Sequence, residues 1–165
     1  MNVIISLAIL SAYTLWVCIK YGIPSSLSQS YYEIKWGPIF TLVLWTSALL
    51  VLPTCMDITP YTQIIPFAGI FGLILVGAAP RVRDYEKTIH IIGASIAGIF
   101  SQLWVIFYRN PWWMMLWVIP IITFIIIFIK TVNKENLIIE LDKVKFIFWC
   151  EIICFVNLYI NLLLG

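Results

Sequence analysis

Two titratable side chains interrupt the long apolar runs of this chain, and they are its first candidates for chemistry. Glu151 lies six residues beyond Lys145, and His90 lies three residues after Lys87. On a helix, the Glu151 carboxyl is therefore roughly 9 Å along the axis from the charged boundary. A carboxyl at that depth in lipid is costly and usually faces protein or water. The sequence predicts that both side chains point into a helical bundle, where they could pair.

A polar stripe accompanies Glu151 along the same apolar run. Cys150, Cys154, Asn157 and Asn161 share one helical face, with Glu151 at its edge. We expect this stripe to face the bundle interior, and we take Asn157 as a further ligand-binding candidate. Two interpretations of Glu151 with His90 stay open: a hydrogen-bonded pair that only orients two helices, or a proton relay or ligand site.

Hydroxyl groups are concentrated after the first apolar run, where Ser25, Ser28 and Tyr32 are candidates for binding a ligand. Pro24 followed by serines predicts a short helix, capped by Ser25 or Ser26.

Two arginines, Arg81 and Arg83, precede the fourth apolar run and are candidates for holding an anionic lipid headgroup. A guanidinium can bind a phosphate with two parallel hydrogen bonds. The alternative is that these arginines only orient the chain in the membrane.

Recognised catalytic and metal-binding patterns are missing. The single histidine excludes a His-rich metal site, and there is no H-E-x-x-H, G-x-S-x-G or Gly-rich phosphate loop. In the ceramidase-like intramembrane hydrolases a Ser, an Asp and a His lie at the membrane face. Ser25 or Ser28, Asp57 and His90 would have to take those positions, and the later H-x-x-x-H of that family is absent. We therefore expect no catalytic residue, no metal and no cofactor, which argues against an enzyme, and four free cysteines.

The elements that position these residues follow from hydropathy. Apolar residues make up 62% of the chain and charged residues 11%, against about 25% charged in a soluble domain. Six apolar runs match the ~20 residues that a membrane-spanning helix needs, and they do not alternate as barrel strands do. The sequence predicts an all-α membrane protein, a single six-span transmembrane helical bundle. The predicted spans cover residues 2–19, 36–54, 60–79, 88–107, 111–129 and 146–163.

Charge placement predicts the orientation. Nine of the ten Lys and Arg residues lie in the loops of one side, and Arg109 alone lies on the other. Because basic loops stay cytoplasmic, we expect both termini to be non-cytoplasmic in an inner or plasma membrane. Asp57 and Arg109 are predicted to form an ion pair at the outer side. We expect no nucleic acid partner, since the basic residues are interspersed with acids and are predicted to lie against the membrane.

Small residues predict helix packing. Ala68 with Gly72, and Ala94 with Gly98, have the small-xxx-small spacing that lets helices approach closely in lipid. We expect spans three and four to form an intimate antiparallel pair, and Pro66 to kink span three. Span five should face lipid over much of its surface, and a short amphipathic helix should lie in the last loop.

The P-S-x-L-S-x-S-Y-Y stretch after span one, with a late single histidine, resembles small bacterial multi-span membrane proteins, and this resemblance implies no activity. Three functions remain open. The protein could bind or move a small or lipidic ligand at the cytoplasmic half of the bundle, serve as a structural or accessory subunit of a membrane assembly, or modify lipids as an intramembrane enzyme. The expected partners are membrane lipids, including an anionic headgroup, with a homo- or hetero-oligomer left open.

Overall fold

Helices form nearly all of the described chain. The structure, a computed structural model, describes residues 1–59, 62–81, 85–131 and 134–164, without the side chains of Arg81, Lys134 and Glu135. Within these ranges five helices are long and apolar enough to cross a membrane, and a sixth apolar helix is shorter. The predicted all-α bundle of about six spans is thus confirmed.

Five of the apolar helices begin and end within about four residues of the predicted runs, whereas the α-helix of the fifth run begins seven residues late, after a 3-10 segment. In chain order the α-helices are α1 Asn2–Tyr21, α2 Ser30–Glu33, α3 Pro38–Ile58, α4 Ile64–Ala78, α5 Glu86–Tyr108, α6 Val118–Lys130, α7 Lys134–Lys143 and α8 Phe146–Leu164. Short 3-10 helices, Ala79–Arg81 and Pro111–Trp117, follow α4 and precede α6.

Five helices form a closed ring. α1 packs on α3, α3 on α4, α4 on α5, α5 on α8, and α8 returns to α1. α6 lies outside this ring, against α7 and α8, and Pro120 is its one buried residue. An apolar helix this exposed needs an apolar solvent, which agrees with the expectation for span five.

The closest pair in the ring is α4 with α5, as the small residues predicted. A Cβ added at Gly72 would lie 2.5 Å from the Ala97 nitrogen and 2.7 Å from the Gly93 oxygen. The contact face on α5 is therefore Gly93 with Ala97, and the prediction that Ala94 and Gly98 form it is wrong. A Cβ added at Gly98 meets no atom within 4 Å, because α5 is rotated by about one residue relative to the expected crossing.

Three local features differ in part from expectation. Pro66 is the third residue of α4 and lies in its first turn. Backbone N–H groups in the first turn have no acceptor within the helix, so a proline there breaks no helical hydrogen bond. Pro66 is therefore not expected to kink α4. The segment Ser25–Gln29 forms turns, and the short helix begins only at Ser30. The last loop contains the expected short helix, α7, with Ile138 and Ile139 exposed.

Asp57 and Arg109 do not form the predicted ion pair. The Arg109 guanidinium instead lies 5.7 Å from the centroid of the Trp104 ring, and no salt bridge joins Arg109 to Asp57, both of which are described. A cation over an indole face is a favourable alternative at a membrane surface. The four cysteines are free, as expected.

Candidate functional site

The loop after α1 folds back into one end of the ring. We call Ser25–Ser30 the serine loop. Leu27 is 2% exposed and Ser30 is fully buried. The Ser30 hydroxyl bonds the Tyr13 hydroxyl at 2.6 Å, and Tyr13 lies eight residues before the end of α1, so roughly 12 Å inside the bundle. Non-helical backbone at such depth persists only where protein surrounds it.

Glu151 holds the serine loop from α8. Its Oε2 atom accepts the backbone N–H of Leu27 at 2.5 Å. One turn earlier on α8, the backbone N–H of Phe148 donates to the Ser25 carbonyl at 3.1 Å. Because Phe148 lies in the first turn of α8, its N–H has no partner within the helix. The Ser25 carbonyl of the loop thus accepts an N–H from the first turn of α8, and the Glu151 carboxyl accepts an N–H of the loop.

His90 holds the same loop from α5. Its Nε2 atom lies 3.1 Å from the Ser28 hydroxyl oxygen, and that oxygen lies 3.0 Å from the Ser26 hydroxyl. His90 and Glu151 therefore bond adjacent loop residues and not each other. The direct pair that the sequence suggested does not form, since the serine loop lies between the two helices and offers each side chain its own partner.

An elongated cavity of about 220 Å³ lies between α3, α4, α5 and α8. Ser28 and Glu151 line it at one end, and Cys55 and Trp104 line it near the other. Its walls are mainly aliphatic and aromatic, from Phe40, Leu44, Val51, Ile70, Leu73 and Leu158 among others. The arrangement is an apolar space with a carboxyl and a hydroxyl at one end.

Gly98 also lines this cavity. Since a Cβ there would meet no atom within 4 Å, close helix packing does not explain the glycine. The missing side chain leaves the cavity wall open.

A second polar cluster lies toward the opposite end, and its centre, Gln102, was not singled out from the sequence. Its Oε1 atom accepts from Asn157 Nδ2 at 2.6 Å and from Trp117 Nε1 at 3.0 Å. Asn161 continues the cluster by accepting the backbone N–H of Asn110 at 3.0 Å. These amides bond one another, so they join α5, α8 and the Pro111–Trp117 segment. Gln102 could have been identified from the sequence, because it is a polar amide side chain within an otherwise apolar span.

The predicted site residues thus fall into distinct groups. Ser28, His90 and Glu151 come together, with Ser25 contributing its carbonyl beside them. Asn157 is buried in the amide cluster, and Tyr32 is 56% exposed, against the Tyr31 ring. The side chain of Arg81 and the whole of Arg83 lie outside the described residues, so the proposed anion site stays a prediction.

The apolar helices and their ring define a multi-pass α-helical membrane protein. No family model, no curated protein and no solved structure matches the chain.

Proposed function

We propose that the protein binds a slender single-chain lipid between α3, α4, α5 and α8, with the polar end of the lipid at Ser28 and Glu151. The observation that carries this proposal is the cavity of about 220 Å³, apolar along its length and polar at one end.

The size of the cavity supports occupancy. An apolar cavity of roughly 150 Å³ is enough to hold benzene in an engineered core. At about 24 cal/mol for each Å³ of unfilled space in a closed core, a space of this volume would cost at most about 5 kcal/mol if empty, since it is partly open. Lipid chains surround a membrane protein at high concentration, so filling the space with one chain is the lower-energy state.

Gly98 supports the same conclusion by a different route. A glycine inside a helix costs roughly 0.5–1 kcal/mol relative to alanine. At Gly72 that cost is offset by the close approach of α5, whereas at Gly98 no neighbour requires it. Because packing does not require Gly98, the structural effect that remains is that its missing side chain keeps the cavity wall open.

The polar end selects the chemistry of the ligand. Glu151 uses Oε2 for Leu27, and no described residue bonds its second oxygen. A carboxyl lining an apolar cavity favours a hydrogen-bond donor, and the Ser28 hydroxyl beside it can donate or accept. A single chain bearing hydroxyl groups, such as a monoacylglycerol, fits both features.

Native mass spectrometry with 1-oleoylglycerol tests this proposal. Gly98→Phe would place a ring in the cavity, and Ile99→Phe adds a similar ring on the neighbouring exposed position, where the native side chain is 57% exposed. We expect wild type and Ile99→Phe to retain the lipid and Gly98→Phe to lose it. Equal retention by both variants would contradict the proposal and favour the accessory-subunit alternative.

A further inference from the structure

We propose that Ser28 and His90 act as an acyl-transfer pair on the ester of the lipid held in the cavity. This inference rests on the proposed function, because the cavity would place the acyl chain. It adds a reaction, cleavage of a single-chain carboxylic ester, to the binding proposed above.

The hydrogen bonds around Ser28 allow an arrangement in which its hydroxyl proton is available to His90. The backbone N–H of Gln29 donates to the Ser26 hydroxyl oxygen at 3.1 Å, which leaves the Ser26 proton free to donate to Ser28. In that arrangement Ser28 donates its proton to His90 Nε2, 3.1 Å away. A neutral imidazole with its proton on Nδ1 accepts at Nε2. A serine hydroxyl within hydrogen-bond reach of a histidine is the arrangement that activates a nucleophile.

A third group lies beside the histidine. Glu86 is one helical turn before His90 on α5, so the two side chains share a face. Its Oε1 atom is buried and has no hydrogen-bond partner among the described residues. No hydrogen bond joins Glu86 to His90 in the described chain, so we expect Glu86 to stabilise the imidazolium that forms when His90 takes a proton through its charge alone.

The surroundings of Ser28 suit an ester carbonyl. Ser28 is 7% exposed and lines the cavity, so a lipid ester in the cavity can lie against its hydroxyl. In the described chain its backbone N–H donates to no protein acceptor. That N–H lies next to its own hydroxyl, as the nucleophile's N–H does in serine hydrolases, where it binds the oxyanion.

The reaction has two steps, acylation of Ser28 and hydrolysis of the acyl-Ser28 ester. Ser28 Oγ bonds to the ester carbonyl carbon while its proton passes to His90 Nε2. The bond from that carbon to the alcohol oxygen breaks, and His90 returns the proton to the departing alcohol. A water molecule then attacks the acyl-Ser28 ester and gives its proton to His90. The Ser28 Oγ–carbon bond breaks, Ser28 regains the proton, and a fatty acid leaves.

A long-chain alkyl fluorophosphonate tests the nucleophile, because an activated serine displaces fluoride and keeps the phosphonyl group. The full-length protein in lipid nanodiscs is treated with the hexadecyl reagent, and intact mass and peptide mapping locate the adduct. We expect one adduct on Ser28 in the wild type and none in Ser28→Ala. Ser95→Ala is the matched control, since Ser95 is exposed on α5 and does not line the cavity, and it should be labelled normally.

The role of His90 is tested by the rate of labelling. His90→Gln keeps a polar side chain but removes the base, and we expect labelling to slow by at least ~100-fold. Oleate release from 1-oleoylglycerol should fall in parallel, while thermal unfolding and retention of the lipid report whether the fold and the cavity persist.

The possible outcomes separate the two proposals. Retention of 1-oleoylglycerol without adduct or oleate release would overturn the acyl-transfer inference and leave lipid binding in place. An adduct on another serine, or equal labelling of Ser28→Ala, would also overturn it. Failure to retain the lipid, with no difference between Gly98→Phe and Ile99→Phe, would contradict the proposed function itself.

Discussion

The Glu151 carboxylate accepts the backbone N–H of Leu27, although 124 positions separate the two residues. This bond joins the last helix of the ring to the first loop. It lies at a depth where an unpaired N–H could not turn to water, so the carboxyl and the loop each satisfy a group that would otherwise be costly.

Glu151 is expected to stabilise the fold through this acceptor oxygen. Glu151→Leu leaves the buried Leu27 N–H without a partner and should destabilise the protein by about 1–3 kcal/mol. Glu151→Gln keeps an acceptor oxygen at the same place, so this variant should lose clearly less stability than Glu151→Leu. Thermal unfolding in detergent measures both. Equal loss in the two variants would mean that the carboxylate charge, and not the acceptor, matters.

The two glycines on the α4 and α5 faces should respond in opposite directions to alanine. Gly98→Ala adds a methyl group to open space and removes backbone freedom from the unfolded chain, so we expect stabilisation by about 0.5–1 kcal/mol. Gly72→Ala drives a Cβ into the α5 backbone and should destabilise by about 1–3 kcal/mol. The same unfolding assay compares them, and destabilisation by both would show that Gly98 is a packing residue after all.

Gln102 should be the most sensitive residue of the amide cluster. Gln102→Leu removes the acceptor shared by Asn157 Nδ2 and Trp117 Nε1, and leaving buried donors unpaired costs about 1–3 kcal/mol each. Thr123→Val is a control, because Thr123 is only partly buried and bonds only the Ile119 carbonyl of its own helix. A drop in melting temperature for Gln102→Leu, with little change for Thr123→Val, is the expected result. Equal melting temperatures for the two variants would show that the amide cluster does not stabilise the fold.

The orientation predicted from charge can be tested by labelling single cysteines. In a background with the four native cysteines replaced, a cysteine at Lys143 should react from the cytoplasmic side and a cysteine at Trp112 from the opposite side. Both positions are exposed. The reverse pattern would place the serine loop, His90 and Glu151 in the non-cytoplasmic half.

Hydropathy determined the class of this protein and the approximate extent of most of its apolar helices. The free energy of moving an apolar run or a charge between water and lipid depends on the local composition, so it can be read without knowing what each helix contacts. The same reasoning placed Glu151 and His90 inside the bundle. Small residues also identified the closest helix pair, since only they permit such an approach.

The face and the partner of each residue were decided by the tertiary structure. Composition suggested Ala94 with Gly98, but α5 meets α4 through Gly93 and Ala97, because the rotation of a helix depends on the shapes of both surfaces. Asp57 and Arg109 have opposite charges at the same side, yet Arg109 lies over Trp104. Charge and size narrow the possible contacts, and packing selects among them.

The serine loop shows this division most clearly. Its hydroxyls were evident in the sequence, as were a deep histidine and a deep carboxyl. Nothing local to residues 25–30 indicated that they fold back beside Tyr13 and end a cavity lined by Gly98 and Glu151. Depth in a membrane follows from local transfer free energy, whereas hydrogen-bond partners and unfilled space arise only when helices distant in sequence close around them.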